Sequence, residues 1–195
     1  MDTTWRLAFE RIAKASPAAT QLLHLCAFLA PEGITPDLLG TDPALLPDEL
    51  GRAVTDPLEL EDAIAVLYRY SLIGRDQTGL RVHRLVQAVV ASSLLTEERS
   101  LWIERAVGLL LVAMPADPDQ PQSWPCWARL LAHVMSATAH AQHTRVALAD
   151  TAELLNQAGV YPKGLGINNV AVFPLCSDAA RRCRTPRARA GRWSQ

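Results

Sequence analysis

The sequence predicts a mainly helical fold with one small β-hairpin. Apolar residues recur at helical spacing in most segments between Thr4 and Ala158. The two extended segments are short and flank a single turn. No strand signal follows residue 96.

The chain is organised around Leu58 to Ala91, read as helix, tight hairpin, helix. Asp56-Pro57-Leu58-Glu59 is a helix start. The Asp56 carboxylate can accept from free N–H groups of the first turn, Pro57 has no N–H to leave unpaired, and Glu59 can close a capping box. Leu60, Ile64, Leu67 and Tyr68 then fall on one apolar face. The segments Leu72–Arg75 and Leu80–His83 flank Asp76-Gln77-Thr78-Gly79, a turn whose glycine stands where a positive φ is needed. This reads as the wing of a winged helix, with a further helix from Arg84 through Leu94.

In chain order, Thr4 to Ala15 is a short amphipathic helix with Trp5, Phe9 and Ile12 inward. Ser16-Pro17 caps a second helix, nearly all apolar across Leu22, Leu23, Leu25, Cys26, Phe28 and Leu29, which stops at Ala30-Pro31-Glu32-Gly33. Thr35-Pro36 opens a short helical piece, Asp37 to Leu39. Residues 40–57 read as a loop with a short helix from Asp48 to Val54. After the hairpin and its helix, Thr96-Glu97-Glu98 caps a helix running to about Ala113, with Leu101, Trp102, Val107, Leu109 and Leu110 buried. Pro115, Pro118 and Pro121 make a rigid connector with Asp117 and Asp119. Ser123-Trp124-Pro125 opens a helix to about Ala141, and Val146 to Ala158 is one more, closed by Gly159. The expected architecture is therefore a winged helix over residues 1–95, antiparallel helical hairpins over 96–163, and a tail over 164–195.

Charge separates the tail from the rest. Residues 1–162 carry 12 basic and 19 acidic side chains, net −7, whereas residues 163–195 carry 7 basic and 1 acidic, net +6. The run Ala179 to Arg192 has no apolar periodicity, so a disordered basic tail is expected. Such a tail can bind nucleic acid, but a shifted GC-rich reading frame produces the same composition. Cys26, Cys126, Cys176 and Cys183 are scattered without CxxC spacing, which points to reduced thiols and to neither a disulfide framework nor a zinc site. There is no basic apolar leader and no apolar run of membrane-spanning length. A cytoplasmic location without membrane contact is expected.

Thr4-Trp5-Arg6-Leu7-Ala8-Phe9, Leu67-Tyr68-Arg69-Tyr70-Ser71-Leu72-Ile73 and Val82-His83-Arg84-Leu85-Val86-Gln87 resemble the region after the nucleotidase core of bacterial NB-ARC proteins with tetratricopeptide repeats, signal-transduction NTPases of the STAND type. The resemblance covers about residues 3–163, and Asn156-Gln157-Ala158-Gly159-Val160-Tyr161 is similar to the start of the repeat array. It implies a regulatory module that clamps an NTPase domain and offers a helical repeat surface to protein partners. No GxxxxGK[ST] motif is present, so ADP or ATP is expected only in an intact parent protein, of which this chain looks like a C-terminal-side fragment. In that family a Met-His-Asp motif touches the β-phosphate of ADP. Val82-His83-Arg84 resembles it in position, which implies a nucleotide-sensing role for His83 and Arg84. The sequence departs from the motif at Val82 and at Arg84, where a cation stands in place of the acid. The plainer reading is that His83 ends the strand and caps local backbone.

A DNA-binding transcriptional regulator is the alternative. The helix that would enter the groove exposes Glu59, Glu61 and Asp62 and has only Arg69 near its far end, which argues against nucleic acid. The wing offers Arg75 and Arg81 for weak contact. Catalysis is not expected. His133 and His140 could share one side of a helix, joined by His143, but their spacing matches no zinc pattern. They read as half-exposed polar positions, and His24 as a hydrogen-bonded core histidine.

Overall fold

The computed structural model describes residues 3–115 and 120–164; the side chains of residues 3–6, 8, 121 and 160–164 lie outside the description. Trp5, the connector residues Asp117, Pro118 and Asp119, and the expected tail beyond Gly164 therefore fall outside it.

Nearly every predicted helix forms, and local chemistry sets most of the boundaries. Helix α1 is Thr3–Ala15, with Ile12 fully buried and Phe9 partly so. Helix α2 is Pro17–Cys26. Ser16 Oγ accepts from the Ala19 N–H at 3.1 Å, and Pro17 occupies the first turn. Helix α3 is Pro36–Leu39, capped by Thr35, and a 3-10 turn follows at Pro43–Leu45. Helix α4, Asp48–Ala53, begins after Pro47, which has no side-chain acceptor to offer. The Leu50 N–H is instead taken by Gln21 Oε1 of α2 at 2.8 Å, so a distant side chain supplies what the local sequence lacks.

Helix α5, Pro57–Arg69, starts as the sequence requires, with Asp56 Oδ1 accepting from the Leu58 N–H at 2.9 Å. Leu60, Ala63, Ile64 and Leu67 are buried. Tyr68, expected on that face, is instead 64% exposed. It shares the outer face with Glu61 and Ala65, because eight residues from Leu60 is about 80° past two full turns. The helix ends in a Schellman arrangement: Ser71 N–H donates to Tyr68 O at 2.9 Å and Leu72 N–H to Leu67 O at 3.2 Å, with Ser71 in the left-handed region at φ 56°.

Strands β1, Ile73–Asp76, and β2, Gly79–Val82, pair antiparallel with Ile73 opposite Val82 and Asp76 opposite Gly79. Each strand thus begins and ends one residue from its expected limits. The segment after α2 runs beside β2. Ile34 and Leu80 exchange backbone bonds of 3.2 and 2.8 Å, and the Val82 N–H reaches Pro31 O at 2.8 Å.

Helix α6 is Arg84–Ser93. Helix α7 is Thr96–Ala113, and its cap corrects the sequence reading. Leu95, not Thr96, is the capping residue, and its N–H is satisfied by the Glu98 carboxylate at 3.0 Å. Leu101 is also misplaced by the sequence, being 48% exposed on the face it shares with Glu97 and Glu104 while Trp102, Ile103, Ala106, Val107 and Leu110 point inward. Helix α8, Trp124–Thr144, and helix α9, Leu148–Gly164, are joined only by residues 145–147 and pack on each other and on α7. Gly159 does not close α9. A helical glycine costs about 1 kcal/mol, and burial of Leu154, Leu155 and Ala158 on the same helix outweighs that.

Among the described residues, a cluster of buried side chains runs from Ile12 to Ala158. Among the described residues, no helix is long and apolar enough to cross a membrane.

Candidate functional site

Three of the four site residues singled out from the sequence, Arg81, His83 and Arg84, line one groove of about 760 Å³. Tyr68, Ser71 and Leu72 at the end of α5, Gly74 of β1, and the run Arg81-Val82-His83-Arg84 at the β2–α6 junction line it. Pro31 and Glu32 of the α2–α3 loop line it as well. The junction needs no loop, since β2 ends at Val82 and α6 begins at Arg84. That leaves His83 as the capping residue, with extended backbone at φ −63°, ψ 137°.

His83 Nδ1 accepts from the Leu85 N–H at 3.2 Å. The plain capping role expected for this residue is therefore present. It also has a chemical consequence. A neutral imidazole that accepts at Nδ1 carries its proton on Nε2, so the ring keeps a donor for a second partner. Arg84 is the first helical residue and exposed. Arg81 is folded over the hairpin: a Cβ built on Gly74 would lie 3.7 Å from its Nε and Nη2. Arg81, His83 and Arg84 thus face the same groove at the N-terminal end of a ten-residue helix, with Glu32 the one acid among the described residues in its lining. This array suits a small anion, because two guanidinium groups, an imidazole N–H and the helix dipole act together.

Arg75 is not part of this groove. Its Nη2 pairs with Glu61 Oε1 at 2.6 Å across from α5, both side chains about half exposed. Tyr68 also lines a second groove of about 640 Å³ with Ile64, Arg69 and Arg75. Near the hairpin turn, the Asp76 pKa is lowered, chiefly by hydrogen bonds from the Thr78 side chain and backbone; Gly79 and Arg81 contribute less. Glu59, Glu61, Asp62 and Arg69 all lie exposed on α5 as expected.

The histidines of α8 are not the trio of half-exposed positions that the sequence suggested. His133 is buried. Its Nδ1 accepts from the Ala30 N–H at 3.1 Å and its Nε2 lies 3.1 Å from Gly33 O. The signal was present in the stripe Leu130, His133, Val134, Ala137, Ala141, whose i, i+3, i+4, i+7, i+11 spacing marks an inward face. His140 packs edge-on against Phe28, ring centroids 5.3 Å apart, and His143 is exposed. His24 is half-buried edge-on against Trp102. Burial lowers its pKa against the opposing effect of Glu98. Among the described residues, no group of three or more His, Cys, Asp or Glu is placed to hold a metal ion.

Gln87 was also missed. Its Nε2 donates to Cys26 O at 2.7 Å and Leu29 O at 3.0 Å, and Ser136 Oγ donates to the same Leu29 carbonyl at 3.2 Å. These bonds satisfy the buried carbonyl end of α2.

No curated protein and no solved structure matches the chain. Residues 10–99 match the model of a family described as a domain of unknown function, DUF7779; the match holds the whole groove, from Pro31 to Arg84, and the chain is similar to that family from α1 into the first turn of α7.

Proposed function

We propose that the chain is a non-catalytic regulatory and protein–protein interaction module. In this reading, residues up to Leu95 form a winged helix and α7–α9 begin a tetratricopeptide-like array. The module acts on an NTPase domain of the NB-ARC type, with His83 and Arg84 turned toward the phosphates of a nucleotide held by that domain. The observation that carries the reading is the convergence of Arg81, His83 and Arg84 on one groove at the start of α6. The strand-like pairing of Pro31–Ile34 beside β2 supports the winged helix, since it gives the hairpin the third neighbour that such a wing needs. DNA binding is the weaker reading, because α5 presents carboxylates and Arg75 is paired with Glu61.

The test is a titration of the chain with MgADP, followed by amide and histidine ring NMR signals. Groups at one groove wall, without a phosphate-cradling loop, bind in the millimolar range. Saturable shifts are expected at Arg81, His83, Arg84 and Leu85. His83→Asp keeps a good helix cap while repelling the anion, and should abolish them. Shifts that persist in this variant, or that scatter over the surface, overturn the reading.

A further inference from the structure

The Ala30–Gly33 loop is held between two elements far apart in sequence. On one side it is bonded to β2, through Pro31 O and the Val82 N–H. On the other it is bonded to α8, through both nitrogens of His133. Pro31 and Glu32, the two residues between the His133 contacts at Ala30 and Gly33, are part of the wall of the His83 groove.

The hydrogen-bond pattern fixes the charge of the His133 ring. Nδ1 takes a proton from a backbone N–H, so it must present a lone pair, and Nε2–H then donates to Gly33 O. A proton added at Nδ1 would face the Ala30 N–H, donor against donor. We propose that His133 is a protonation-sensitive latch: neutral, it pins the Ala30–Gly33 loop to α8, and protonated, it releases that wall of the groove. The latch goes beyond the functional reading above and stands without it.

The surroundings offer the imidazolium no charged partner. Glu32 of the loop, Glu104 of α7, Arg129 of α8 and Glu153 of α9 are all exposed. Arg105 lies over the Trp102 ring at 4.9 Å, and His140 is two turns further along α8. None of them contributes to the pKa of His133, which burial lowers and the Gly33 bond partly restores. The sign follows. A folded pKa below the ordinary 6.5 means the closed latch is fully stable above that pH. It weakens as the pH falls toward the folded value, because the open form binds the proton first. Over that interval opening grows about tenfold per pH unit.

The experiment is amide hydrogen exchange of the full chain between mildly alkaline and mildly acidic pH, read as protection factors with the histidine ring signals recorded alongside. The Ala30 amide should lose protection in step with the titration of His133, while Leu22 and Leu25 of α2 stay protected. His133→Gln offers an acceptor and a donor without titrating, and should hold Ala30 protection level. The proposal is overturned if Ala30 stays protected while His133 titrates, if it opens together with α2, or if it follows the ring signal of His24 or His140 instead. Wild-type protein alone decides these outcomes should the variant not fold.

Discussion

Gly79 sits so close to Ile34 that a Cβ on it would lie 2.6 Å from the Ile34 carbonyl oxygen and 3.0 Å from its carbonyl carbon. Its φ of 138° is one that side chains rarely adopt. This contact lets the α2–α3 loop lie against β2 and form the paired bonds between Ile34 and Leu80. Gly79→Ala meets both backbone strain and backbone collision, and a cost of about 2–4 kcal/mol is expected. Urea unfolding checks it, and an alanine variant within experimental error of wild type would contradict the close approach.

The Gln87 amide bridges Cys26 O and Leu29 O inside the core. Gln87→Leu keeps the volume but leaves the Cys26 carbonyl without this donor, while Leu29 O retains Ser136. A loss of about 1–3 kcal/mol follows, or roughly 3–10 °C in Tm for a chain of this size. Thermal unfolding by circular dichroism measures it. An unchanged or raised Tm would mean that the amide is not needed to satisfy the end of α2.

Cys26 is fully buried in the core, and burial pushes its thiol up to about 12. Only the thiolate reacts, so native alkylation at mildly alkaline pH should be about a thousandfold slower at Cys26 than at an ordinary exposed thiol. Cys126 is half-buried and should be modified before Cys26. Peptide mass mapping after timed alkylation gives the two rates. Equal rates under native conditions would contradict the burial of Cys26.

The local chemistry was legible wherever the deciding groups are neighbours in sequence. Ser16, Thr35 and Asp56 cap the helices they precede, and Gly79 takes the positive φ its turn demanded. The stripe at Leu60, Ile64 and Leu67 is buried because helical period alone selects it. Tyr68 and Leu101 were misplaced for the converse reason. An apolar side chain adjoining a stripe is inward or outward according to what packs there, and periodicity does not resolve one step of about 100°.

The sequence by itself determined a mostly helical chain with one short hairpin, the strand-to-helix junction at His83, and the residue types that gather there. Tertiary structure alone decided that Arg81, His83 and Arg84 share a groove with Glu32, Tyr68 and Ser71, and that Arg75 turns away to Glu61. It also decided that His133 is a buried bridge rather than a surface residue. The physical reason is range. Caps, turns and helical faces are fixed by bonds spanning two to four residues. The His133 bridge instead joins groups about a hundred positions apart, and burial of a common core brings them into hydrogen-bonding distance.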